Sequence, residues 1–132
     1  MASVRVRELD HIVVKCADVE KSLAWYIDVL GLAGERVDAW RTGDTFFPSV
    51  RINHDTIIDL FPGAPDGHNV DHFCVVIEPV DFDAIVASGV FDVVDGPARR
   101  WGAHGDGTSL YVRDPDGNTI ELRYYGGADG SA

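Results

Sequence analysis

The chain has 132 residues, of which 45% are hydrophobic and 25% are charged, as in one ordinary globular domain. Its 22 acidic and 11 basic residues give a net charge of -11, which disfavours nucleic acid and anionic lipid as partners. The sequence shows no apolar stretch near the roughly 20 residues of a membrane span, and its N-terminus lacks the apolar core of a signal peptide. We therefore expect a cytoplasmic protein that binds neither membranes nor nucleic acid.

Two cysteines, Cys16 and Cys74, are too few for a disulfide scaffold or a four-cysteine zinc site. The cytosol disfavours disulfides, and alternation along the strands predicted below places the two side chains on opposite faces of their sheets. Both cysteines are therefore predicted to be reduced.

The first half of the chain is predicted to run strand, helix, strands. Residues 9–16 are short and rich in β-branched side chains, which favours a strand. Asp18 is a typical helix N-cap, and the apolar residues that follow at helical spacing predict a helix of about three turns ending at Gly31. Further strands are predicted around 37–41, at 48–53 and at 56–61.

The second half repeats this order after a polar Pro/Gly-rich linker at 62–69. Residues 70–77 form a predicted strand, and Asp81 is predicted to cap a short helix that Gly89 ends. Strands are then predicted at 93–94, 109–113 and 119–125, with a tight turn at 114–117 and a frayed tail at 126–132.

The two halves are related by an internal repeat. The sequence LDH at 9–11 matches VDH at 70–72, and TIIDL at 56–60 matches NTIEL at 118–122. The sequence therefore predicts an α+β fold with two consecutive βαβββ modules. The predicted domain covers 8–125, with module one at 8–61 and module two at 70–125.

The repeat places two imidazoles and two carboxylates at matched positions, namely His11, His72, Asp59 and Glu121. Two histidines with one or two carboxylates are a common ligand set for divalent Fe, Mn, Ni, Co or Zn. Taken singly, each of these residues is typical of a hydrogen-bonded or solvated strand position, so the matched placement is what favours a metal site. Alternation puts Glu121 on the same strand face as Thr119 and Arg123.

Segments along most of the chain resemble the vicinal oxygen chelate superfamily, which contains glyoxalase I, fosfomycin-resistance and bleomycin-resistance proteins, extradiol dioxygenases and methylmalonyl-CoA epimerase. These segments are LDHIVV at 9–14, WYIDVLGL at 25–32, VDHFCVVI at 70–77 and YVRDPDGNTIEL at 111–122. The resemblance implies that the two modules form a cupped mixed sheet around a divalent metal ion.

The resemblance also implies site residues. It places metal ligands at His11, His72 and Glu121, and a fourth ligand where Asp59 stands. Since Asp59 is one methylene shorter than the usual Glu, a site with three protein ligands is the safer interpretation, and Asp59 is then the candidate general base. Asp59 and Glu121 are the candidate catalytic carboxylates.

The chemistry implied by the resemblance is chelation of a small substrate with adjacent oxygens by the metal, which stabilises an oxyanion or enolate. We interpret the chain as a metal-dependent enzyme and slightly favour glyoxalase-like lyase or isomerase chemistry. The alternatives are a metal-free antibiotic-sequestering protein, a ring-cleaving dioxygenase, an enzyme with thiol-transferase chemistry, and a structural or regulatory domain that keeps the ligands as relics. A homodimer is expected, with modules pairing within one chain or between two.

Substrate contacts are predicted from the Gly-rich segment 99–107, which we interpret as a flexible loop or as a mobile lid. As a lid it would bring Arg100 or His104 to an anionic substrate, and Tyr111 is a further candidate for the wall of the site. His54 and His68 lie in turn segments and are predicted to be solvated.

Overall fold

A computed structural model describes residues 3–113, 115 and 117–126. Its strands are β1 Val6–Cys16, β2 Ala33–Glu35, β3 Ser49–Arg51, β4 Ile57–Pro62, β5 Val70–Ile77, β6 Asp92–Gly102, β7 Gly105–Arg113 and β8 Thr119–Tyr124. The α-helices are α1 Val19–Ala24, α2 Val37–Arg41 and α3 Phe82–Ser88. Omitting the short α2, this order is two successive βαβββ modules, which confirms the α+β fold class predicted from the sequence.

The described chain divides into two compact units. The central unit is His11–Asp71, and the flanking unit comprises the described residues on either side of it. In the central unit the strand order is β2-β3-β4-β1, with β1 and β4 parallel and the other neighbours antiparallel. In the flanking unit the order is β5-β8-β7-β6, with β5 and β8 parallel. Each unit therefore holds one mixed arrangement of four strands.

Each unit has its own apolar core between its helix and its strands. In the central unit the core consists of Cys16, Val19, Leu23, Val50 and Leu60. In the flanking unit it consists of Ile77, Phe82, Ile85, Leu110, Val112 and Leu122. These clusters lie on the helix-facing side of the strands, and alternation places His11, Asp59, His72 and Glu121 on the opposite side. Both cysteines are buried, and they form no disulfide with each other.

The helix ends are set by the residues that the sequence singled out. The Asp18 side chain accepts from the Lys21 backbone N–H at the start of α1, and Asp81 accepts from two backbone N–H groups at the start of α3. Gly89 follows α3 in the left-handed conformation at φ 72°. The first helix is not uniform, however, because after α1 the residues Trp25–Val29 form a π-helical turn.

The strand predicted around 37–41 is wrong, since these residues form α2. Arg36 takes a left-handed φ of 59°, which ends β2 and turns the chain into a helical turn. Val37 and Trp40, three residues apart, then both pack against the central core. A spacing of three residues is typical of a helix, but a segment this short is not long enough for the spacing to distinguish a helix from a strand.

The Gly-rich segment 99–107 is also not a flexible loop or lid. Its residues close a β-hairpin, in which Arg100 pairs with Gly107 and Gly102 pairs with Gly105 across β6 and β7. Gly105 has a φ of 89°, the positive value that closes the short turn between the strands. The glycines therefore serve a tight turn and close packing rather than mobility.

Two sequence predictions fall on residues that the structure does not describe. The tight turn at 114–117 includes residues 114 and 116, and the predicted tail includes 127–132; these lie outside the described residues. Within the described ranges, no helix has the length and apolar character that a membrane span requires.

Candidate functional site

The flanking unit places His72 beside Glu121. The parallel strands β5 and β8 are neighbours, with Cys74 opposite Glu121 in the register. His72 Nε2 lies 3.0 Å from Glu121 Oε1, and the two residues are only 8% and 1% exposed. A neighbouring pair of parallel strands thus brings together two groups that stand 49 residues apart in the chain.

The other oxygen of Glu121 is held by two donors. Ser109 Oγ, on β7, donates to Oε2 at 2.7 Å, and Arg123 Nη2, on β8 itself, donates to the same oxygen at 2.7 Å. Arg123 and Ser109 are both fully buried. Burying a carboxylate without hydrogen-bond partners costs free energy, and here Glu121 has a charged partner in Arg123.

The central unit repeats this arrangement with Asp59. His11 Nε2, on β1, lies 3.7 Å from Asp59 Oδ2, on β4, and both side chains are 2% exposed. Ser49 Oγ, on β3, donates to Asp59 Oδ1 at 2.5 Å, since Ser49 and Asp59 are opposite one another in the antiparallel register. Each unit therefore buries one trio of a histidine, a carboxylate and a serine, from its first, fourth and third strands.

The two trios differ in one respect that matters for charge. Counted along the chain, Arg123 follows Glu121 by two residues, and the residue at the same place after Asp59 is Phe61. The Phe61 ring packs against Phe46 and Phe47. The arginine that partners Glu121 thus has an aromatic counterpart in the central unit.

The donor chemistry of each trio fits a divalent metal ion. Imidazole nitrogen and carboxylate oxygen bind such ions at about 2.1 Å, so two ligand atoms at a right angle stand about 3.0 Å apart and wider angles give more. The nitrogen-to-oxygen distances of 3.0 Å in the flanking unit and 3.7 Å in the central unit both lie in this range.

Tyr111, one of the predicted substrate-binding residues, lies beside His72 and Glu121. It stands opposite Glu121 in the register of β7 and β8, and its ring meets the His72 ring edge to face at 5.4 Å. Burial, reinforced by the negative charge of Glu121, raises the pKa of the Tyr111 phenol above its ordinary value, while Arg100 acts to lower it. Tyr111 therefore keeps its proton at neutral pH.

The other two predicted substrate residues lie at the hairpin. Arg100 is 43% exposed on β6 and lies 3.6 Å from Asp95. His104 is exposed in the turn, and its ring packs edge to face against Tyr125 at 5.3 Å. His54 and His68 are exposed, as predicted.

Sequence reasoning missed the groups that hold Glu121 in place. Arg123 Nη2 also donates to the Trp101 carbonyl at 2.8 Å, and Nη1 donates to the Tyr125 hydroxyl at 3.1 Å. Tyr125 in turn donates to Asp10, which also accepts from the Ala103 backbone N–H at 2.9 Å. Burial acts to lower the pKa of Arg123, but the surrounding groups, Glu121 among them, more than offset this and raise it. The one sequence signal was parity, which put Arg123 on the same face as Glu121.

Known proteins are similar to this chain over most of its length. The model of the Glyoxalase/Bleomycin resistance protein/Dioxygenase superfamily matches residues 8–122. The chain belongs to this superfamily. A virulence protein from Salmonella typhimurium is 30% identical, over 91% of this chain and 85% of that protein. A glyoxalase domain-containing protein from Mycosarcoma maydis is 32% identical, over 91% of this chain and 69% of that protein.

Solved structures show the same fold. A Mn(II)-bound glyoxalase from Novosphingobium aromaticivorans has a TM-score of 0.70 at 20% identity, covering 92% of this chain and 40% of that chain. A methylmalonyl-CoA epimerase from Mycobacterium tuberculosis has a TM-score of 0.61 at 19% identity, covering 100% of this chain and 97% of that chain. At these identities the likeness establishes the superfamily fold and leaves the activity open.

Proposed function

We propose that the protein is a metal-dependent enzyme that acts on a small molecule with adjacent oxygens. In this proposal His11, His72 and Glu121 bind one divalent ion, drawn from Fe, Mn, Ni, Co and Zn. Asp59 is a fourth ligand or the general base. Lyase or isomerase chemistry of the glyoxalase kind is slightly favoured, because a carboxylate stands at the fourth position.

The observation that carries the proposal is the buried trio of histidine, carboxylate and serine found in both units. Single buried His–carboxylate pairs are common in folded proteins, but the same trio at repeat-related positions in a superfamily with a metal-bound member is a more specific signal. Buried ionisable groups of this kind also concentrate at functional sites. The Mn(II) of the similar glyoxalase further supports a divalent ion.

Each candidate residue has a stated part in the reaction. The bound metal would supply Lewis-acid stabilisation of negative charge that develops on a substrate oxygen. Asp59 would take a proton from the substrate, and its Oδ1 is oriented by Ser49. Tyr111, which stays protonated, would donate a hydrogen bond to a substrate oxygen, and Arg100 and His104 would attract an anionic substrate.

The proposal extends to assembly and location. We expect a homodimer, in which the modules that share one metal belong to a single chain or to two chains. We expect the protein in the cytoplasm, where a small polar substrate would reach it. Light scattering on the purified protein gives the mass of the assembly and decides between monomer and dimer.

The test is the metal content of tag-free protein, measured by elemental mass spectrometry, with the melting temperature before and after a chelator. The variants are His11→Ala, His72→Ala and Glu121→Ala, and the matched control is His68→Ala, since His68 is exposed. We expect near-stoichiometric metal in the parent and the control. Each of the three variants should lose the metal, and the chelator should lower the melting temperature of the parent.

The outcomes separate the alternatives. Loss of metal in His11→Ala as complete as in His72→Ala supports one ion bound by residues of both modules, whereas full metal in Glu121→Ala would contradict the ligand set. Iron in the parent would direct the activity assays to ring cleavage. No metal, and no stabilisation by any added ion, would overturn the proposal in favour of the antibiotic-binding alternative, which predicts ligand binding that survives His11→Ala.

A further inference from the structure

Arg123 lies in a closely fitted buried cage at the end of the β6–β7 hairpin. Its side chain has no solvent exposure. Nη2 donates to Glu121 Oε2 and to the Trp101 carbonyl, and Nη1 donates to the Tyr125 hydroxyl. A guanidinium with this set of fixed partners is held in one orientation, as its planar fork of donors favours.

The cage depends on a glycine. A Cβ added at Gly102 would stand 2.1 Å from Arg123 Nη1 and 2.6 Å from its Cζ. It would also stand 2.6 Å from Asp10 Oδ1. Gly102 thus lets the hairpin backbone approach the guanidinium closely, and any side chain at this position would displace it.

Arg123 and Ser109 both donate to the same oxygen of Glu121. Each carboxylate oxygen has two lone pairs. On Oε2 one lone pair accepts from Arg123 Nη2 and the other from Ser109 Oγ, each at 2.7 Å. Oε1 is the oxygen that faces His72 Nε2, at 3.0 Å.

We infer that Arg123 is a positioning residue, which with Ser109 holds Glu121 Oε2 so that Glu121 binds its metal ion through Oε1 alone. This inference rests on the proposed function, because it assumes that Glu121 is a ligand. Its consequence is that one more coordination position stays open for a chelating substrate than a bidentate Glu121 would leave. A lysine at position 123 would keep the positive charge but would not hold Glu121 in this way, since a lysine lacks the planar fork of donors.

The experiment compares Arg123→Lys, Arg123→Gln and Gly102→Ala with the parent. Gly102→Ala keeps the arginine and displaces its guanidinium. The controls are Arg99→Gln, which removes an exposed arginine of the same hairpin, and Gly63→Ala, where a Cβ meets only ordinary contacts. The probes are Mn²⁺ and Co²⁺ added to metal-free protein, with Kd measured by Mn²⁺ electron paramagnetic resonance and coordination by the visible spectrum of Co²⁺.

We expect Kd for Mn²⁺ to rise about 10- to 100-fold in all three variants, the usual cost of losing a partner of a metal ligand. The visible absorption of Co²⁺ should weaken, because a released carboxylate binds through both oxygens and higher coordination gives weaker absorption. Ser109→Ala, which removes one of the two donors, should show the same changes to a smaller extent. If an Arg123 variant does not fold, the Ser109→Ala variant still tests the inference.

Two outcomes would overturn the inference. If Arg123 acts only by its charge, Arg123→Lys will match the parent and Arg123→Gln will bind Mn²⁺ more tightly, because a repelling cation has gone. If it is merely structural, the variants will have lower melting temperatures with unchanged Kd and Co²⁺ spectrum. Failure of the proposed function looks different, since the parent itself would then bind neither ion.

Discussion

Breaking the ion pair between Arg123 and Glu121 should strongly lower the free energy of unfolding of the metal-free protein. The effects of substituting the two residues should also be coupled. Their atoms are 2.7 Å apart, and the two side chains are 0% and 1% exposed. Glu121→Ala would leave the guanidinium buried without this partner, and breaking one side of a buried pair costs about 3–5 kcal/mol. Because Tyr125 and the Trp101 carbonyl still accept from Arg123, we expect the lower end, about 3 kcal/mol.

The measurement is urea unfolding of the metal-free protein in the presence of a chelator. With a urea m-value of about 1.5 kcal/mol/M, a loss of about 3 kcal/mol moves the unfolding midpoint down by about 2 M. The double variant Glu121→Ala/Arg123→Met should recover most of this loss, because it removes the stranded charge and fills its place with an apolar side chain of similar length.

The control is Glu20→Ala, which breaks a similarly close but solvent-exposed pair with Arg41. Exposed pairs contribute little, so its midpoint should remain close to that of the parent. The reasoning is refuted if Glu121→Ala shifts the midpoint no more than Glu20→Ala does. It is refuted as well if the free energy of unfolding lost by the double variant equals the sum of the losses in Glu121→Ala and Arg123→Met measured singly. The two residues would then have no coupling energy.

Three further predictions concern other parts of the chain. Ser49→Ala removes the buried donor to Asp59 and should lower the free energy of unfolding by about 1–3 kcal/mol in urea melts. Asp81→Ala removes the cap of α3 and should cost about 1 kcal/mol, whereas Asp83→Ala, in the same turn, leaves the cap in place and serves as its control. Burial raises the pKa of Tyr125, so its contribution to stability is full below the ordinary phenol pKa of about 10 and is lost as the pH rises beyond it. Tyr125→Phe should therefore make stability fall less steeply as the pH rises above about 10, and an unchanged slope would contradict this.

The features predictable from sequence are those with a local or a periodic signal. The Asp18 and Asp81 caps act on backbone groups two or three residues away, and Gly89 acts on the turn it follows. The repeat was visible because it preserves strand order and the His and carboxylate positions. The pairing of His72 with Glu121 follows from that order, since the first and last strands of a module are neighbours.

The features that sequence reasoning missed depend on which strands meet and in what register. Ser109 and Arg123 are ordinary polar strand residues until the register places the serine opposite the arginine and both beside Glu121. A charged residue in a strand is usually exposed, so burial of Arg123 was not to be expected from composition. The hairpin at 99–107 was missed because glycines that allow close packing and glycines that give mobility look alike in one sequence.

The difference between the two trios supports a division of labour between Glu121 and Asp59. Both carboxylates are buried and both accept from a serine, but only Glu121 has an arginine two residues on, where Asp59 has Phe61. A carboxylate bonded to a buried, fixed guanidinium is held in a constant place, which suits a ligand. Carboxylates placed in such different environments commonly take different roles, so we expect Asp59 to be the one that handles the proton. Asp59→Asn should accordingly retain metal while losing turnover, and loss of metal in that variant would instead make Asp59 the fourth ligand.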